Sequence, residues 1–239
     1  GDDDNNHDIV IIFPGAGGPD QFTSELKSSM IRSDEDAKLA GPTRFITVWD
    51  WSEHRGSIAT AAFDGEAVGE AVAEAIMTII DEGGKDASSP KLRSVHSIGV
   101  SVGGFAANAL ARRCKEFLVD VPYVRLTLLD PFCSRGVLGV GYGKKNFGLD
   151  VDYAEHFLNT DDPVPTTNDA LPLCSVVDVT GAKERNDFIL PEGETMHCWP
   201  LVYYARHFYR SLKDERDGRM KLPRHTDVDA NSRGSVVFK

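Results

Sequence analysis

A chain of 239 residues with 41% hydrophobic and 26% charged residues is long enough for one large α/β domain with a proper core. Its net charge of −11 argues against nucleic acid or an anionic membrane surface as the main partner. That charge leaves a neutral lipid or ester open as a substrate, and no apolar run approaches the ~20 residues of a membrane span.

The elements read as follows in chain order. Residues 1–7 are polar and acidic, a frayed start. "DIVIIF" (Asp8–Phe13) is a short β-branched apolar run closed by Pro14-Gly15, the mark of a buried strand. The glycine-rich "PGAGGPD" follows, then a helical stretch between Gln21 and Leu39. "RFITVWDW" (Arg44–Trp51) reads as a second strand. Asp64 reads as an N-cap, after which Val68, Val72, Ile76 and Ile79 recur at helical spacing until Gly83-Gly84 stops them. "KLRSVHSIGVS" is a third strand. Val102–Leu118 is a helix with Ala106, Ala109, Leu110, Cys114 and Phe117 on its apolar side. Tyr123–Asp130 is a fourth strand. Beyond a glycine-rich connection, "DYAEHFLNT" and "CSVVDVTG" read as strands five and six, and "WPLVYYARHFYRSL" as a last helix with Pro200 in its first turn. Residues 1–213 form one domain. Residues 214–239 are charged, lack periodicity and read as a flexible or draped tail. Strand–helix alternation of this kind predicts an α/β fold with a mostly parallel sheet of about six or more strands and helices on both faces.

The chemistry concentrates at Gly99-Val100-Ser101-Val102-Gly103, a G-x-S-x-G sequence between a predicted strand and a predicted helix. A serine on such a sharp turn adopts a strained backbone, and its neighbours two residues away must be small. The turn lifts Oγ clear of the sheet and sets the Val102 N–H at a helix N-terminus, where negative charge is stabilised. A plain structural turn is the competing reading. A phosphate-cradling loop is another option, since "GVSVGG" is small and flexible, but G-x-G-x-x-G is unmatched and no P-loop lysine follows.

A nucleophilic serine needs a base and an orienting acid, in the chain order Ser, acid, His. Four histidines follow Ser101. His156 lies inside a predicted strand, His207 mid-helix and His225 in the tail, whereas His197 lies on a loop directly before the last helix and is the candidate base. For the acid, Asp130 ends strand four, and Asp161 and Asp162 end strand five. All three stand at C-terminal strand edges, where α/β active sites collect. Asp178, inside a strand, is poorly placed.

Four segments, in order, carry a family likeness: "TVWDWSEHRGSIATAAFDGEAVGEAVA", "VHSIGVSVGGFAANALAR", "VRLTLLDPF" and "MHCWPLVYYARHF". Over roughly Ile9–Tyr209 the chain resembles the α/β-hydrolase fold, and within it the pancreatic-lipase branch. That resemblance implies a Ser101–Asp130–His197 triad, with an oxyanion hole formed by the N–H of Val102 and of Ala16 or its neighbour Gly17, and no cofactor or metal. The family's G-H-S-L-G appears here as G-V-S-V-G. The segment before His197 is too short for a triglyceride-lipase lid, and no second lipid-binding domain follows. The implied activity is therefore that of an esterase, a phospholipase or a small acyl hydrolase. An acyltransferase would use the same residues, and a non-catalytic ligand- or partner-binding protein of this fold is the alternative from another class.

Trp49, Trp51 and Trp199 could line an acyl pocket, Trp199 with the best claim from its place two residues after His197, and Phe132 is a further candidate; for Trp49 core packing or surface shielding is favoured. "SRGVLGVGYGKKNFG" after Asp130 is either a small cap or an ordinary loop. "NTDDPVP" is a calcium candidate, a solvated loop or a reserve source of the triad acid. Cys114, Cys133, Cys174 and Cys198 contain no CxxC pair, which disfavours zinc. A Cys174–Cys198 disulfide and free thiols are both compatible with the spacing. The chain shows no signal peptide at its start and no N-x-S/T sequon, which favours a cytosolic or organellar setting, and a leader removed beforehand is compatible too.

Overall fold

A computed structural model describes residues 6–16, 18–36, 43–54, 58–83, 91–117, 123–136, 139–208, 234 and 236–239. Its strands are β1 (Asn6–Phe13), β2 (Thr43–Val48), β3 (Lys91–Val100), β4 (Tyr123–Leu129), β5 (Tyr153–Leu158), β6 (Ser175–Asp178) and β7 (Val236–Phe238). They form one sheet in the order β2-β1-β3-β4-β5-β6-β7, with every neighbouring pair parallel. The helices are α1 (Gln21–Asp36), α2 (Ile58–Gly83), α3 (Gly103–Phe117), α4 (Tyr142–Asn146) and α5 (Trp199–Tyr203). This is an α/β fold, an all-parallel seven-stranded sheet with helices packed on both faces.

The continuous apolar run of β1, Ile9 to Phe13, reflects burial on both faces of the sheet. On one face Ile11, Phe13, Val95, Val124, Leu126 and Leu128 pack beneath α2 and α3. On the other Val10, Ile12, Ile98, Val100, Leu129 and Phe157 pack beneath α1 and α5. Helices α2 and α3 approach closely because small residues line their contact: a Cβ on Gly69 would fall 2.2 Å from the Ala106 carbonyl oxygen.

Several boundaries differ from the sequence reading. Asp64 does not cap α2, which starts at Ile58 and places Asp64 within its second turn. Burial of Ala61 and Ala62 against the sheet extends the helix upstream of the first valine of the stripe. Strand β2 stops at Val48, and the chain turns so that Trp51 drops into the core and donates to the Pro14 carbonyl at 3.0 Å. The last helix is α-helical only to Tyr203 and then widens into a π-turn over Tyr204–Phe208. That turn sets Tyr204 and Phe208 on the Phe157 ring, at centroid distances of 5.0 and 4.7 Å. The tail is not wholly draped. Val236–Phe238 pairs with β6 as the seventh strand, and a Val-Val-Phe segment suits a sheet edge that would otherwise stand open. Among the described residues, no helix is long and apolar enough to cross a membrane.

Strand β1 leads to β2 on one side, while β3 lies on the other side of β1. The order in which strands are added to the sheet therefore reverses at β1 and β3, and a crevice opens outside their C-terminal ends, where ligands of open α/β sheets bind. The loop after Phe13 and the turn after Val100 both emerge there.

Candidate active site

Ser101 follows the last residue of β3 and precedes α3 by two residues. Its φ of 52° lies in the left-handed region, which costs a non-glycine residue about 1–2 kcal/mol. The surrounding backbone fixes that conformation. The Ser101 N–H donates to the Leu129 carbonyl at 3.1 Å, and its carbonyl accepts from Gly104 N–H at 3.0 Å and Phe132 N–H at 3.1 Å. The two flanking glycines are sterically required. A Cβ on Gly103 would stand 2.3 Å from the Phe13 carbonyl oxygen, and one on Gly99 would stand 2.6 Å from the Gly104 Cα. Because the clash at Gly103 is with backbone, Gly103→Ala is expected to destabilise the fold by about 3 kcal/mol. A thermal melt should read this as a Tm lowered by roughly 6–12 °C; an unchanged Tm would contradict the close approach of β1 and α3.

The Val102 N–H opens α3 and donates to no acceptor among the described residues. Gly15 of the β1 loop lies against Ser101, close enough that an added Cβ would sit 3.2 Å from the serine Cβ. Ala16 comes next and is exposed, and Gly17 falls outside the described residues.

His197 stands on a short 3-10 turn (Met196–Cys198), its N–H capped by the Thr195 hydroxyl. Two carboxylates meet its Nδ1: Asp162 Oδ2 at 2.5 Å and Asp130 Oδ2 at 3.0 Å. Both acids are buried. Nε2 is also buried and has no hydrogen-bond partner, so no bond joins it to Ser101 Oγ in this state. Such contacts are commonly loose until substrate arrives.

The two carboxylates are not equivalent. Burial pushes Asp130 up to about 8, opposed by its hydrogen bond with His197 and assisted by its hydrogen bond with Asp162. For Asp162 burial also acts upward, but hydrogen bonds from His197, Asp130 and the Val164 N–H outweigh it and bring the group down to about 2. For His197 burial acts downward, and the hydrogen bonds and charge of the two acids raise it to about 9. Asp130 is thus biased toward its neutral form and Asp162 toward its ionised form within one coupled cluster.

Second-layer groups hold this cluster. Thr167 Oγ1 donates to Asp162 Oδ2 at 2.9 Å, and the Val164 N–H donates to Oδ1 at 3.0 Å in a local Asx turn. Asn159, fully buried, donates from Nδ2 to the Met196 carbonyl at 3.0 Å and so ties the β5 exit to the histidine turn. Asp-Pro-Val announces the Asx turn in the sequence; nothing there announces Thr167 or Asn159, whose partners depend on the folded loop.

Other candidates lie elsewhere. Asp161 turns outward and pairs with Arg185 at 2.9 Å. The two acids of "NTDDPVP" therefore point to different partners and do not form a joint calcium cage. Trp199, the acyl-pocket candidate, is fully buried in the core, donates to the Val179 carbonyl at 2.8 Å and packs on Phe188 at 5.3 Å. Two residues beyond His197, the helix has already turned it into the core. Phe132 is half-buried beside the serine turn. His156 is fully buried with neither nitrogen bonded, and burial lowers it to about 3, which keeps it neutral. His207 is exposed on the π-turn, and His225 lies outside the described residues. All four cysteines are buried free thiols, so Cys174 and Cys198 are not bridged. Among the described residues, Asp130, Asp162 and His197 also form the one donor set, with atoms within 4.8 Å of one another, that could hold a metal ion.

The sequence matches no protein-family model and no curated protein. Among solved structures, the chain is similar to one described as "the putative cell surface hydrolase from Lactobacillus plantarum WCFS1", at 11% identity and a TM-score of 0.44, over 68% of this chain and 74% of that one.

Proposed function

We propose that the protein is a serine hydrolase of carboxylic esters, of the esterase or lipase-like kind. The observation that carries this reading is Ser101, held left-handed on a strand-to-helix turn at the sheet's switch point. A strained serine between two sterically obligatory glycines has little structural purpose, whereas a nucleophile needs that exposure of Oγ.

In the proposed reaction Ser101 Oγ attacks the ester carbonyl carbon while its proton passes to His197 Nε2. The carbonyl oxygen becomes an oxyanion facing the Val102 N–H and the N–H of Ala16 or Gly17, with the positive end of α3 behind it. Collapse of this intermediate breaks the bond to the alcohol oxygen, which leaves with the proton from Nε2. Water then attacks the acyl-enzyme, giving a proton to Nε2, and the acid is released as Ser101 regains it. Asp162 and Asp130 fix the imidazole with Nδ1–H turned away from the serine. The resemblance to the pancreatic-lipase branch supports Asp130 as the family's acid position; the shorter contact to Nδ1 favours Asp162. An acyl acceptor other than water would make the same machinery an acyltransferase.

A second reading takes Asp130, Asp162 and His197 as ligands of a divalent cation, favoured by the convergence of their donor atoms. One experiment separates the two. Wild-type protein incubated with a fluorophosphonate is expected to gain a single adduct by intact mass, undiminished by EDTA. Ser101→Ala should gain none, and His197→Ala should react about 10³-fold more slowly. A folded wild type that takes no adduct would sink the hydrolase reading, and loss of labelling on chelation would favour the metal.

A further inference from the structure

The segment after Asp130 is built against the nucleophile turn. The Phe132 N–H is bonded to the Ser101 carbonyl at 3.1 Å. Farther along, the Tyr142 ring stacks on Phe105 in the first turn of α3, with centroids 5.8 Å apart and planes 30° apart. Phe147 meets the same Phe105 ring edge-on at 5.1 Å. The segment therefore lies along the end of α3 that faces the reacting centre.

What holds its outer part is a charged clamp onto α2. Arg135 forms an ion pair with Glu66, and Tyr142 donates its hydroxyl to the same carboxylate. The Arg135 guanidinium lies over two rings, Phe63 of α2 at 4.5 Å and Tyr142 at 5.0 Å. The Arg135 N–H also donates to the Gly139 carbonyl at 3.1 Å, narrowing the neck of the segment. A planar cation between aromatic faces, paired with a carboxylate that accepts a second hydrogen bond, restrains orientation far more than a lone surface ion pair. Around the clamp the surface is apolar: Phe63 remains 50% exposed and Val140 75%.

We propose that Arg135 is a positioning residue that clamps residues 131–136 and 139–147 to α2 as a fixed wall of the substrate site, and that Phe63 and Phe132 on this wall receive the acyl chain of an uncharged ester. The assignment of the chain rests on the ester-hydrolase reading; the clamp itself does not.

The test compares wild type with Arg135→Met, Arg135→Lys and Glu66→Gln on p-nitrophenyl octanoate and p-nitrophenyl acetate. Arg135→Met is expected to raise KM for the octanoate about 10-fold while its kcat and the acetate kinetics stay within about 2-fold. Arg135→Lys, which retains the pairing charge, should recover part of that loss. Glu66→Gln should follow Arg135→Met, covering the case in which one variant folds poorly. Amide hydrogen exchange in residues 131–136 and 139–147 should quicken in Arg135→Met and not in β3 or β4. Equal losses on both esters, or no change in KM, would overturn the chain-binding role. Unchanged exchange would overturn the clamp. A wild type inert to every ester would overturn the hydrolase reading, and exchange would then decide the clamp alone.

Discussion

Ser101→Ala is expected to abolish ester turnover, lowering kcat on a p-nitrophenyl ester by about 10⁵–10⁶-fold, and His197→Ala should fall to a similar floor. The two losses should not add. A serine without its base is a poor nucleophile, and a base without its serine has nothing to activate, so the double variant should be little worse than either one. Steady-state kinetics on all three proteins checks this. The folded state should survive both substitutions. Ser101→Ala leaves a left-handed residue whose backbone contacts with Leu129, Gly104 and Phe132 are unchanged, since the side chain takes no part in them. A Ser101→Ala protein retaining more than about a hundredth of wild-type turnover would place the chemistry elsewhere.

The second large effect divides the two carboxylates. Asp162→Asn should lower kcat by about 10⁴-fold, because its oxygen lies 2.5 Å from Nδ1 and carries the charge that stabilises the imidazolium. Asp130→Asn should cost less, roughly 10-fold, since its oxygen lies farther from Nδ1, at 3.0 Å, and burial biases it toward the neutral form whose shape an amide preserves. The reverse order would restore Asp130 as the principal acid. The pH profile follows from the same cluster. His197, raised to about 9, must lose its Nε2 proton before it can act as base, so kcat/KM should climb with pH up to about 9. Removing the Asp162 charge should move that limb to lower pH.

Stability should run the other way. Between the ordinary values of the free groups and about 9 for His197 and about 8 for Asp130, the folded protein binds more protons than the unfolded chain, so both contributions are lost as pH rises. Asp162, lowered to about 2, contributes stability above its ordinary value of 3.8 that is lost as pH falls through about 2. The cluster alone therefore favours a mildly acidic optimum for stability and an alkaline one for turnover. Denaturant melts across pH, set beside the kinetics, would expose that opposition.

Much of this molecule is written in short-range pattern. The apolar run Asp8–Phe13, the alternation of strands and helices, and the small residues around Ser101 all act within a few positions of one another. Backbone sterics and hydrophobic periodicity are enough to read them. His197 is legible for the same reason, as a histidine on a turn directly before a helix with proline in its first turn.

The choice between acids is not local. Asp130 and Asp162 stand 67 and 35 residues from His197, both leave C-terminal strand ends, and only the folded loop decides which oxygen comes to 2.5 Å from Nδ1 and which to 3.0 Å. Trp199 looks available beside the histidine until the helix turn carries it into the core. Helix α2 starts before its valine stripe because the sheet buries Ala61 and Ala62, and the Val-Val-Phe near the chain end becomes a strand only because β6 presents an edge. The clamp of Arg135 on Glu66 joins two segments whose sequences give no sign of each other. Periodicity and turn chemistry thus specified the elements and the strained serine turn, while burial, charge pairing and edge closure, which depend on residues far apart in the chain, were settled by tertiary structure.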